Sequence, residues 1–340
     1  VDKVLVLGPS WVGDMVMAQP LLALLKNLYP QVKIDVAVPA AIKNLLVAMP
    51  EVNRGISLPF RRGQLDLKQR FQIGRTLRAS CYDQAIVLPN SWKSAIVPCI
   101  AKIPIRTGWL GEQRWGLLND IRRKSAVKFL QGSQYPLAVQ RFLVLALEKG
   151  APFPTILPTP RLLVSKQSIQ SVLHRFGESQ QKPILGLCPG AAFGNSKRWL
   201  PEYFSEIAQA YLKMGWAVWL FGSSEERAFA ELIQKSTENR CRNFTGLTNL
   251  LEVTQLISLA SAVVSNDSGL MHVADALNVP QVVVYGSTSP LEARPFSQRS
   301  RLLHLDLACA PCFKRECPLG HYRCMRDLVP SMVLEALQAL

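Results

Sequence analysis

Apolar residues recur along this chain in two rhythms: short unbroken runs, and longer stretches with apolar positions three and four apart. The first rhythm fits buried strands and the second fits helices. Val4 to Leu7 is a run of the first kind, followed by Gly8-Pro9-Ser10 and a helical pattern from Val12 to Leu28. Ile34 to Val38 repeats the strand signal, and Ala41 to Ala48 predicts a helix before Pro50. Ala85 to Leu88 predicts a strand closed by Pro89-Asn90, with Ser91 placed to cap a helix running through Ala101. Leu137 to Lys149 is again helical and stops at Gly150.

The segment from Ala151 to Pro160 holds four prolines, at 152, 154, 158 and 160, and predicts a linker between two domains, 1–155 and 156–340. Beyond it the alternation restarts. Strands are expected at Ile184 to Leu187, Ala217 to Phe221, Ala262 to Ser265 and Gln281 to Tyr285. Helices are expected at Pro201 to Met214, Glu225 to Lys235 and Gly269 to Leu277. Strands alternating with helices imply parallel sheets covered on both faces. The expected fold class is therefore α/β, with two doubly wound, Rossmann-like domains in series whose ligands bind outside the carboxyl ends of the strands.

Composition agrees with an ordinary globular protein, at 49% apolar and 19% charged residues. No apolar run approaches the roughly 18–20 residues that a bilayer span requires, and no basic-then-apolar leader opens the chain, so a cytoplasmic protein is expected. Charge adds more. Lys and Arg exceed Asp and Glu by 39 to 24, and residues 1–150 hold 21 of the bases against 9 of the acids. Such a one-sided field attracts polyanions such as nucleic acid, anionic lipid or a phosphorylated glycan, or else it serves solubility alone.

Of eight cysteines, Cys81, Cys99, Cys188 and Cys241 are scattered and read as small core residues of a reducing compartment. Cys309, Cys312, Cys317 and Cys324 crowd together with His321 among them. Their spacing suits either a structural metal site or a set of free thiols, and it lacks the paired CxxC repeat of the strongest zinc motifs.

Three loops at strand ends can carry chemistry. In Gly8-Pro9-Ser10-Trp11-Val12-Gly13-Asp14, the Asp14 carboxylate stands at the start of a helix. It either takes a proton from an incoming hydroxyl or merely complements the positive helix end. The stretch from Cys188 to Trp199 combines Gly190 and Gly194 with the cations Lys197 and Arg198, a composition suited to a diphosphate or else to a basic loop that only faces water; Trp199 either stacks on a ligand or packs a helix. The stretch Ser265-Asn266-Asp267-Ser268-Gly269-Leu270-Met271-His272 opens a helix whose free N-terminus favours an anion. There Asp267 can hold sugar hydroxyls, Ser268 and Gly269 can donate to phosphate, and His272 follows one turn on. The same residues are also ordinary capping chemistry. No Asp-x-Asp triplet is available to chelate a metal on a nucleotide diphosphate, so transfer without a metal or other cofactor is expected.

With those loops in view the chain resembles the ADP-heptose:lipopolysaccharide heptosyltransferases, most closely the heptosyltransferase II branch. The likeness rests on residues 8–15, Leu88 to Ala95, Arg106 to Trp109, Gly116 to Asp120, Cys188 to Ala191, Lys197 to Trp199 and Asn266 to His272. It implies a GT-B architecture: two Rossmann-like domains with an interdomain cleft, acceptor mainly on the first and donor mainly on the second. It also implies inverting transfer of L-glycero-D-manno-heptose from ADP-heptose to the first heptose of heptosyl-Kdo2-lipid A. On that likeness Asp14 is the base, Lys197 binds diphosphate, Gly190 and Asp267 to His272 bind the donor, and Glu225 contacts the ribose. Ser10 and Trp11 would meet the acceptor. An acceptor rich in carboxylates and phosphates, at the cytoplasmic face of the inner membrane, would be drawn to Arg61, Arg62, Lys93, Arg122, Arg123 and Lys124; nucleic acid is not expected as a partner. The cysteine-rich tail is not common to the whole family and is read as a structural clasp. The rival readings are a sister heptosyltransferase with another core acceptor, a nucleotide-linked oxidoreductase, and a non-catalytic nucleotide binder. No GxGxxG follows either leading strand, which speaks against the oxidoreductase.

Overall fold

Buried strands with no polar side chain to present to water need cover on both faces, and the central strands here are of that kind. The structure, a computed structural model, describes residues 1–60, 64–130 and 136–340. They form two compact units, Val1–Arg161 and Leu162–Leu340. The boundary falls at the end of the proline-rich segment instead of at 155/156. The Arg161 N–H is held by Gln19 Oε1 of the first unit at 3.0 Å, whereas the Leu162 N–H donates to Ala276 O of the second.

In the first unit the strands are β1 (Lys3–Leu7), β2 (Lys33–Pro39), β3 (Val52–Leu58), β4 (Gln84–Val87), β5 (Ile105–Trp109) and β6 (Asp120–Arg122). They pair in parallel in the order β3-β2-β1-β4-β5-β6. The second unit supplies β7 (Ile184–Cys188), β8 (Ala217–Leu220), β9 (Arg242–Asn243), β10 (Ala262–Asn266), β11 (Gln281–Val284) and β12 (Ser300–Leu303). These are also parallel, in the order β12-β11-β10-β7-β8-β9. Each unit therefore winds outward on one side of its first strand and then returns to build the other side. The reversals lie between β1 and β4 and between β7 and β10, where a ligand crevice opens.

The helix Val12–Leu28 is buried around most of its surface, with Met15, Val16, Ala18, Leu21 and Leu22 inaccessible, and it packs against the helix Leu137–Ala146. That second helix ends before Lys149, since Leu147 turns extended. The helix expected at 41–48 is one turn, Ala40–Lys43, followed by the 3-10 helix Asn44–Ala48. Ser91 makes no side-chain cap, and the segment after it is a 3-10 helix, Trp92–Ala95, leading into Ile96–Ile100. Among the scattered cysteines, Cys188 and Cys241 are core residues, but Cys81 is exposed, at a left-handed φ of 50°.

Candidate active site

At the second reversal, β7 and β10 run side by side and their carboxyl ends carry two of the loops singled out above. Buried Asn266 ties them together: its Oδ1 accepts the Trp199 N–H at 3.0 Å and its Nδ2 donates to Pro189 O at 2.7 Å. Trp199 is itself buried and donates its indole N–H to Leu328 O at 2.7 Å, so it packs the core and does not stack on a ligand. Arg198 donates to Ala191 O and Asn195 Oδ1, shaping its own loop.

Lys197 is thereby left facing an open cavity of about 430 Å³, which Asp267, Thr288, Ser289, Glu292 and Phe313 also line. Its Nζ lies 2.6 Å from Asp267 Oδ2, and the Thr288 hydroxyl donates to the same oxygen. Behind the pair, His272 is buried; loss of water, reinforced by the Lys197 charge and opposed by Asp267, lowers its pKa to about 4. The imidazole is therefore neutral near pH 7. Ser268 caps the helix Gly269–Ala276 by backbone position alone, and its hydroxyl lies 3.3 Å from Ser265 Oγ. The cavity thus sets one ammonium and the hydroxyls of Thr288 and Ser289 beside the carboxylates of Asp267 and Glu292.

Glu225 stands exposed in the one-turn 3-10 helix Ser224–Glu226. Its neighbour Glu226 faces the loop after β7. The Glu226 carboxylate accepts the Ser223 N–H at 2.8 Å, and a Cβ placed on Gly190 would lie 1.9 Å from Glu226 Oε1. Gly190 thus makes room for an acid at the crevice, an arrangement suited to paired hydroxyls such as those of a ribose.

At the first reversal Asp14 is partly exposed in the first turn of Val12–Leu28, with Ser10 and Trp11 exposed just before it. The loop after β4 is held from below by Arg114. Its buried guanidinium donates to Pro89 O at 2.7 Å and to Trp109 O, and burial lowers its pKa to about 10, which still leaves it charged. Lys93 is partly exposed and bonds to Gln64 O at 3.3 Å. Arg123 and Lys124 are exposed, with the Arg123 guanidinium 5.5 Å from the Trp115 ring centre. Arg122, by contrast, is turned inward. It bonds Asp120 Oδ2 at 2.7 Å and Leu147 O at 2.9 Å, and these partners withdraw it from the surface set. Arg61 and Arg62 lie outside the described residues. Cys309, Cys312, Cys317 and Cys324 are free thiols, all partly buried.

Arg114, Glu226, Thr288, Glu292 and Phe313 were not read from the sequence. The pair Glu225-Glu226 at a strand end was a visible signal for one of them; the others become neighbours of the site only through long-range folding.

The model of Glycosyltransferase family 9 (heptosyltransferase) matches residues 70–323. The chain is 43% identical to the lipopolysaccharide heptosyltransferase 2 of Escherichia coli K12, over 99% of this chain and 98% of that one. It is 40% identical to the lipooligosaccharide heptosyltransferase 2 of Haemophilus ducreyi, over 99% of both. Its structure superposes on that of the E. coli ADP-heptose lipopolysaccharide heptosyltransferase II with a TM-score of 0.87 and 41% identity, covering 99% of this chain and 98% of the other. Two Rossmann-like units of identical winding, a cation and a helix N-terminus at the second reversal, and these likenesses along nearly the whole length agree, and the chain belongs to glycosyltransferase family 9, the heptosyltransferases.

Proposed function

We propose that this enzyme transfers L-glycero-D-manno-heptose, with inversion, from ADP-heptose to the first heptose of heptosyl-Kdo2-lipid A in the inner core of lipopolysaccharide. The observation that carries the reading is the Lys197–Asp267 pair at the β7/β10 reversal, beside the helix N-terminus at Ser268. There Lys197 takes up charge that grows on the departing diphosphate, and Asp267 and Thr288 hold Lys197 toward it. Glu226 receives the ribose hydroxyls. In the first unit Asp14 accepts the proton of the attacking hydroxyl. Lys197 fills the place a divalent metal takes in metal-dependent transferases, so turnover without added metal is expected.

Among the described residues no helix is long and apolar enough to cross a membrane. The lipid-linked acceptor is met in this reading at the cytoplasmic membrane surface, by the basic first unit through exposed Arg123 and Lys124. The test is transfer from ADP-heptose to purified heptosyl-Kdo2-lipid A, with and without brief EDTA treatment and beside Asp14→Ala. Product from the wild type in both conditions, with little from the variant, supports the reading. Binding of ADP without product on this acceptor, but with product on a Kdo-only or longer core, assigns the sister activity instead.

A further inference from the structure

Residues 309–324 close over the segment that bears Lys197. Ser196 donates its N–H to Arg315 O at 3.1 Å and its hydroxyl to Lys314 O, and Asn195 Nδ2 reaches Glu316 Oε1 at 3.1 Å. Phe313, which lines the cavity, donates its N–H to Ser287 O at 2.7 Å. The approach is so close at Gly194 that a Cβ there would lie 2.4 Å from Arg315 O. A loop with this many contacts to the site has to keep its own shape, yet it contains no strand or helix before Arg323–Arg326. Apolar burial does not hold it either, since Phe313 is 51% and Leu319 62% exposed.

What the loop does contain is sulfur. Cys309, Cys312, Cys317 and Cys324 border one small cavity of about 20 Å³, room for roughly a single water-sized occupant. The Tyr322 N–H donates to Cys317 Sγ at 3.5 Å, and the Gly320 N–H closes the turn onto Cys317 O at 3.1 Å. A tight turn with an amide donor at the sulfur is the kind of backbone that presents a cysteine as a metal ligand. We propose that these four cysteines bind one soft metal ion, zinc in the first instance, as a closed tetrathiolate clasp that fixes the loop against the Lys197 segment. Four thiols give up their protons to solvent and form four metal–sulfur bonds, with no change of oxidation state. As the side chains stand, no three ligands converge on a common point among the described residues. Sulfurs have no reason to converge without a cation: thiols gain little from mutual contact and thiolates repel. All four residues already border the same cavity, and binding requires their thiols to turn into it from neighbouring rotamers. With all four positions taken by protein, the ion is structural and carries no reaction step.

The metal site stands apart from the donor assignment; only its effect on nucleotide affinity rests on that reading. Elemental analysis of the untagged wild type is expected to give about one zinc per chain, with Cys309→Ser and Cys324→Ser falling to none and Cys81→Ser unchanged. Growth on cobalt should give the visible bands of tetrahedral thiolate-bound Co²⁺ in the wild type and not in Cys309→Ser. One thiolate-bound iron in place of zinc supports the site with another ion. Wild-type protein with no stoichiometric metal, whose four tail thiols react with a disulfide reagent equally fast with and without added zinc, overturns it, whatever the stability of the variants. Zinc removal is further expected to weaken ADP binding roughly tenfold, restored by zinc. Unchanged ADP affinity in zinc-depleted protein leaves the site standing and sinks the coupling.

Discussion

Lys197 Nζ lies 2.6 Å from Asp267 Oδ2 in a site where the two side chains are only 14% and 6% exposed. An anion entering the cavity has to share that ammonium with a carboxylate already in place. Replacing Lys197 with Ala is expected to lower kcat/KM by about 10²–10³ and to weaken ADP binding. The variant leaves Asp267 with Thr288 alone, so it should also lose roughly 1–3 kcal/mol of stability. Calorimetric titration with ADP and a thermal melt check both, and wild-type ADP affinity in the variant would refute the assignment.

Under the proposed mechanism Asp14 acts in the chemical step and not in donor binding. Asp14→Asn keeps the shape and the helix start but not the basicity. We expect kcat to fall by about 10²–10⁴ while the Kd for ADP holds. A variant with near-normal kcat leaves Asp14 only its role at the helix N-terminus.

Glu225 and Glu226 are adjacent in sequence but not equivalent in space. Glu226→Gln should weaken ADP about tenfold, the worth of a hydrogen bond to a charged group. Glu225→Gln, at an exposed position, should not. Equal effects, or the reverse order, would move the ribose contact to Glu225.

His272 and Asp275 act on stability with opposite signs. Burial lowers His272 from 6.5 to about 4, so as pH falls through that range the unfolded chain gains a proton the folded one refuses, and stability is lost. Burial raises Asp275 from 3.8 to about 6 against N–H bonds from Phe296 and Ser297, so its contribution is lost as pH rises through that range. The windows overlap between about pH 4 and 6, where the two oppose each other. Asp275→Asn should therefore expose the histidine, losing about 2 kcal/mol more than the wild type between pH 6.5 and 4.5, and His272→Gln should tilt the other way. Urea unfolding at these pH values reads it; parallel slopes in all three proteins would show that neither group is linked to folding.

The four strands that flank the reversals were legible in the sequence, though their order was not, because β1, β4, β7 and β10 are central strands and burial on both faces appears as a short apolar run. The edge strands were not: β3 reads Val-Asn-Arg-Gly-Ile-Ser-Leu, pairs on one side only and keeps polar residues toward water. The same limit applied to the site. Lys197 and Asp267, and His272 in the helix that follows, belong to segments with local signatures, whereas Thr288 and Phe313 reach the cavity from distant segments. The run Arg122-Arg123-Lys124 looked uniform as charge, yet one member lies under the sheet edge and two face water. Only Arg122 belongs to β6, and a run of charge does not show where a strand ends or which member it turns in.

The repeated strand order also bears on how new specificities arise. Each unit presents one crevice from its own loops, so under the proposed division of labour a change of acceptor preference needs edits only after β1, β4 and β5, leaving the nucleotide end untouched. A chimera that joins residues 1–161 of one relative to 162–340 of another should inherit acceptor taste from the first parent and sugar nucleotide from the second. Under that division the two parts are exchangeable, and the specificities they can reach together are combinatorial.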